Sequence, residues 1–115
     1  MKDHKLKVLF VCTINRMRSA TAHKIYEGDE RFEVKSAGTD NAAMTVISYE
    51  LLNWADSIIV MEKHHRNFIR NNFPDIYKSK KSVCLYIPDD YEYMQPELVV
   101  TIKSKVEDVY SRGLI

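Results

Sequence analysis

Lys7-Val8-Leu9-Phe10-Val11-Cys12-Thr13-Ile14-Asn15-Arg16-Met17-Arg18-Ser19 joins an apolar run to the start of a helical pattern through a short polar loop. From Val8 to Val11 there is no polar alternation, the pattern of a strand buried on both faces of a parallel sheet. A cysteine therefore stands where that strand ends, and a helical pattern opens at Ser19. The backbone N–H groups between them can turn inward and, with the helix N-terminus, form a concave anion site suited to a phosphate. The same positive potential stabilises a thiolate and makes Cys12 a nucleophile. Arg18 closes the loop with a planar fork that grips two phosphate oxygens. Ser19 can donate to the sulfur, and Asn15 tolerates the left-handed backbone that a tight loop requires.

A cysteine ending an apolar strand is, by itself, most often a small buried hydrophobe. The combination is more specific. The order cysteine, five residues, arginine, serine is the signature of the cysteine-dependent phosphatases. With Val8-Leu9-Phe10-Val11 before it, Asn15 inside it and Ser36-Ala37-Gly38-Thr39 downstream, the chain resembles the low-molecular-weight protein tyrosine phosphatases. The resemblance implies an α/β fold, one three-layer domain over residues 1–115 with a four-stranded parallel sheet in the order 2-1-3-4 flanked by helices. It implies a phosphate-binding loop of Thr13, Ile14, Asn15, Arg16, Met17, Arg18 and Ser19 around the Cys12 nucleophile. It also gives Ser36 a hydrogen bond to the Asn15–Ser19 network. No metal or cofactor is required. The family's usual members are several tens of residues longer, with a loop and helix after the Ser-Ala-Gly turn that supply an aromatic wall to the pocket. The expectation here is a shallower pocket or one walled by other residues.

Composition bounds the alternatives. The 17 basic and 16 acidic residues nearly cancel, for a net charge of +1, so no global field favours nucleic acid or a membrane surface. The charged N-terminus is not followed by a long apolar run, which argues against a signal peptide or spanning helix. Two cysteines, Cys12 and Cys84, do not make a disulfide scaffold, and a thiolate enzyme needs a reducing compartment, so the expected location is cytoplasmic.

Further along, residues 19–26 read as a helix and 32–36 as a second strand. The right-handed crossover lays that strand parallel to the first, with the loop at the C-terminal edge where open α/β sheets bind ligands. A helix is expected within 41–52, a third strand over 57–61, a helix over 63–72 ended by Pro74, a basic turn over 78–81, a fourth strand over 82–87 with Cys84 buried in it, and a closing helix over 96–110. Trp54 reads as a packing residue. His64 and His65, adjacent on a helix, point about 100° apart and cannot share one metal; both read as surface residues.

Departure of a phosphoester's oxygen needs a proton, so a carboxylic acid should face the nucleophile. Asp89 and Asp90 follow the fourth strand on the correct side of the sheet. In the resembling family the acid is an aspartate followed by proline and often tyrosine; here Pro88 comes first. Matching Tyr91 to the family's tyrosine makes Asp89 the acid and Asp90 the alternative, with Tyr91 and Tyr93 at the pocket rim. The reading is a phosphomonoester hydrolase that forms a cysteinyl-phosphate. It takes a phosphorylated protein or a small phosphomonoester, with inorganic phosphate, sulfate or vanadate as loop ligands. One rival is a thioredoxin-coupled arsenate reductase, which needs further cysteines where only Cys84 is available. The other is a non-catalytic phosphate-binding module, which has no use for an acid.

Overall fold

Four parallel strands, β1 (Leu6–Cys12), β2 (Phe32–Gly38), β3 (Ser57–Val60) and β4 (Lys81–Cys84), lie in the order β2-β1-β3-β4 in the computed structural model, which describes residues 5–115. The register sets Cys12 opposite Gly38 and Val11 opposite Val60, so the ends of β1, β2 and β3 converge on one edge. Side chains of successive strand residues point to opposite faces. Val8 and Phe10 therefore enter one core with Ile59, Ile87 and the inner faces of α1 (Arg18–Tyr26) and α5 (Pro96–Ser111). Leu9 and Val11 enter the other, with Ile58, Val60 and residues of α2 (Tyr49–Trp54), α3 (Lys63–Asn72) and α4 (Pro74–Ser79). Burying each of these aliphatic side chains stabilises by about 1.5–3 kcal/mol, and two cores lock β1 in place from both sides. Three layers in the expected strand order result. No helix among the described residues is long and apolar enough to cross a membrane.

Several local expectations are corrected. The helix expected within 41–52 begins only at Tyr49, after Ser48, whose Oγ accepts the Leu51 N–H at 3.2 Å. Upstream, Gly38 N–H donates to Thr45 O (2.8 Å) and Ile47 N–H to Gly38 O (2.9 Å), which commits that backbone to the sheet edge instead of a helix. Pro74 starts α4 rather than merely ending α3, because a missing N–H costs nothing in a first turn. Half of the expected basic turn, Lys78 and Ser79, is the end of that helix, and Lys81 already opens β4. The fourth strand ends at Cys84, near Tyr86 with its positive φ of 56°. The ladder nevertheless continues through Leu85 N–H to Val60 O and Ile87 N–H to Met61 O. Cys84 is half-buried. Trp54 is half-buried with the Lys35 ammonium 4.6 Å above its ring.

Candidate active site

The loop after β1 curls because its carbonyls are tied outward. Cys12 O, Thr13 O and Ile14 O accept from Thr39, Asp40 and Met44 N–H, each at 3.0 Å. Tying the carbonyls to that side leaves the loop amides for its concave side. Gly38 lets the loop sit this close: a Cβ there would lie 2.4 Å from Thr13 O and 2.6 Å from Ala43 Cβ. Asn15 takes the left-handed turn at φ 62°, with its N–H on Cys12 Sγ at 3.3 Å. Its Nδ2 donates to Ser19 Oγ at 2.8 Å. Ser19 Oγ lies 3.0 Å from Cys12 Sγ and 3.4 Å from Ala37 O, so its single proton has its closer acceptor in the sulfur. Asn15, Ser19 and Cys12 thus form a directed chain of donors that ends on the Cys12 sulfur.

Ser36 does not join that network. Its hydroxyl lies 2.9 Å from His23 Nδ1 of α1, and β2 meets Ser19 through the Ala37 carbonyl instead. The Ser36 side chain stands off one face of β2 and reaches His23, while the group of Ala37 that reaches Ser19 belongs to the backbone.

Arg18 is only 2 % exposed. Its Nη1 donates to Glu62 Oε1 at 2.5 Å and to the Ile87 carbonyl at 2.8 Å. Its buried Nε makes no hydrogen bond, and Asp89 Oδ1 stands 3.8 Å from it. One arm of the guanidinium is anchored while the Nε donor remains available to an anion. A cavity of about 150 Å³ is lined by Cys12, Thr13, Ile14, Arg16, Met17, Arg18 and Asp89. Asp90 is exposed and is not among its lining residues. Tyr91 is packed against the core, and Tyr93 stands half-exposed over a neighbouring depression with Arg16 and Met17. Neither tyrosine lines the cavity that holds the sulfur.

Two residues of the site were not anticipated. Glu62 carries Arg18, and His65, expected on the surface, is completely buried beneath the loop. The Glu62 backbone N–H lies 3.0 Å from His65 Nδ1 and can only donate, so the ring proton sits on Nε2. Nε2–H then donates to Thr13 Oγ1 at 2.8 Å. Burial, with the neighbouring His64 and Arg18 charges, pushes His65 down to about 3, so the ring is neutral at physiological pH. For Glu62, burial works against the charge, but the Arg18 hydrogen bond and charge, with His64, hold it below the ordinary carboxylate range. The spacing Glu-x-x-His at a helix start is a reciprocal capping pattern, the one sequence signal that could have drawn attention to this pair. Glu62, His64 and His65 bring their donor atoms within 4.8 Å of one another. Both His65 nitrogens and the Glu62 carboxylate are already committed, however, so holding a metal there would dismantle the loop's support.

The sheet order and helix placement define the fold of the low-molecular-weight protein tyrosine phosphatases. No protein-family model and no curated protein sequence matches the chain. Among solved structures it is similar to the low-molecular-weight protein tyrosine phosphatase SP-PTP from Streptococcus pyogenes. The TM-score is 0.77 at 18 % identity, covering 93 % of this chain and 92 % of that one. It is also similar to the YwlE arginine phosphatase from Geobacillus stearothermophilus, with a TM-score of 0.69 at 23 % identity, covering 95 % and 96 %. The tyrosine phosphatase Wzb from Escherichia coli K30, in complex with phosphate, gives a TM-score of 0.67 at 18 % identity over 96 % and 97 %.

Proposed function

We propose that this chain is a cysteine-dependent phosphomonoester hydrolase of the protein-tyrosine-phosphatase kind. The observation that carries the reading is one small cavity lined by Cys12, Arg18 and Asp89 together. Cys12 attacks phosphorus as a thiolate, forming the S–P bond while the P–O bond to the leaving group breaks. Loop amides and Arg18 hold the remaining phosphoryl oxygens. Asp89 gives its proton to the departing oxygen, then takes one from the water that hydrolyses the cysteinyl-phosphate. Glu62 and His65 act one step back: the first orients Arg18, the second fixes Thr13. Similarity to proteins described as tyrosine and arginine phosphatases, one of them solved with a phosphorylated active-site serine, supports the reaction class.

Cys84 lies on β4, separated from β1 by β3, and burial raises its thiol above the ordinary range. That position disfavours a disulfide relay with Cys12, and with it arsenate reduction. A thiolate nucleophile fits a reducing, cytoplasmic setting. The test is turnover of para-nitrophenyl phosphate by purified protein, with Cys12→Ser as control, followed by phosphotyrosyl and phosphoarginyl peptides and small phosphoesters. Hydrolysis that depends on Cys12 supports the reading; phosphate binding without turnover would replace it with a phosphate-binding module.

A further inference from the structure

Beyond the phosphate cavity, Arg16 and Met17 also wall a second depression of about 410 Å³, with Ala20, Met44 and Tyr93. Ala20, Met44 and Tyr93 in turn wall a third hollow of about 470 Å³ that reaches His23, Lys24 and Lys35. The three share walls in succession, so one trough leads from the nucleophile across the start of α1 to β2. Its middle is apolar and uncovered, with Met44 69 % and Tyr93 50 % exposed. Its two ends are cationic. Arg16 is exposed and makes no ion pair among the described residues. Lys35 is exposed at the far end, where Glu27 is paired with Lys24 at 3.0 Å; the trough's other carboxylate, Asp89, stands at the opposite end beside Arg18. In a chain of net charge +1 this is a local concentration of positive charge.

Resting on the hydrolase reading above, we propose that the trough binds the polypeptide flanking the phosphorylated residue, and that the preferred substrates are phosphopeptides with acidic residues near the phosphate. A small phosphoester fills only the first cavity and leaves the remainder unused. An apolar step of thioether and ring suits peptide side chains, and cations on either side of it suit carboxylates carried along the same chain. Charge complementarity, rather than area, would set the preference.

The test uses the Cys12→Ser protein to measure affinity and the otherwise wild-type protein to measure turnover, with two phosphotyrosyl peptides that differ only in acidic against neutral flanking residues. An exposed ion pair contributes up to about 1 kcal/mol, roughly fivefold, so the acidic peptide should bind tighter at low salt by up to about fivefold for each carboxylate that meets a trough cation. Lys35→Glu should abolish that preference, and Lys24→Glu, which leaves the Lys35–Trp54 contact alone, should reduce it. Met44→Asp should weaken both peptides. Neither lysine variant should change kcat/KM for para-nitrophenyl phosphate. Equal affinity for the two peptides, or a preference untouched by Lys35→Glu, would overturn the proposal. Failure to hydrolyse any phosphoester would instead sink the hydrolase reading, while the affinity comparison still decides whether the trough reads acidic chain.

Discussion

Arg18 and Glu62, forty-four residues apart, meet at 2.5 Å beneath the loop that follows β1, with the guanidinium almost wholly buried and the carboxylate partly so. The pair holds Nη1 and leaves Nε unbonded at the cavity. Breaking a buried pair by removing one partner costs about 3–5 kcal/mol, and the partial exposure of Glu62 puts Glu62→Ala toward the lower end. Because a bound anion supplies the missing partner, phosphate should raise the melting temperature of Glu62→Ala more than that of the wild type. Thermal melts with and without phosphate check this; equal increments would mean that Glu62 does not govern Arg18.

Cys12→Ser should abolish turnover of para-nitrophenyl phosphate while vanadate and phosphate still bind, because the loop amides and Arg18 do not depend on the sulfur. Calorimetric titration beside a rate assay separates the two effects. Substantial residual turnover would exclude a cysteinyl-phosphate.

Asp89→Asn should slow hydrolysis by about a hundredfold to ten-thousandfold for poor leaving groups and much less for activated aryl esters. Asp90→Asn should do less, since Asp90 is not among the residues lining the cavity. A series of phosphoesters of graded leaving-group acidity measures this. A larger, leaving-group-dependent loss in Asp90→Asn would exchange the two assignments.

His65 makes stability pH-dependent. Its ordinary value is 6.5, and the fold holds it to about 3. Below about pH 6.5 the unfolded chain binds a proton that the folded chain refuses, so stability falls as pH drops toward 3, by at most about 1.4 kcal/mol per unit. Above pH 6.5 the contribution is constant. Urea unfolding at pH 7.5, 6 and 5 should show this slope, and His65→Gln should flatten it; an unchanged slope in the variant would place the acid sensitivity elsewhere.

The features read from sequence were those that one element encodes by itself. An unbroken apolar run marks β1 as doubly buried, and crossover handedness then fixes its partner. Cys12, Asn15, Arg18 and Ser19 fall on one loop, so their meeting needs no knowledge of the remaining chain. Glu62 and His65 were hidden because their meaning arises only when β3 pairs with β1 and carries the start of α3 beneath Thr13. The polar run at the start of that helix, Lys63 to Asn67, hides a fully buried imidazole. Ser36 was misread for a similar reason. Residue order shows that the Ser-Ala-Gly turn lies beside the loop, but only geometry shows that the Ala37 carbonyl, not the Ser36 hydroxyl, meets Ser19. Pro74 carries two meanings, stop and start, and the sequence favours neither.

The contact at Gly38 has a mechanical consequence. With Thr13 O only 2.4 Å from the place a methyl would occupy, the hydrogen that stands there in place of Cβ is the spacer that sets how deeply the loop beds against β2. Any side chain there would act as a shim, lifting Thr13 and Ile14 while Cys12, fixed in β1, stayed where it is. The Asn15 N–H, which reaches the sulfur at 3.3 Å, would then be drawn off it. Loop curvature, which the amides only display, is therefore calibrated from the neighbouring strand by the thickness of one missing carbon.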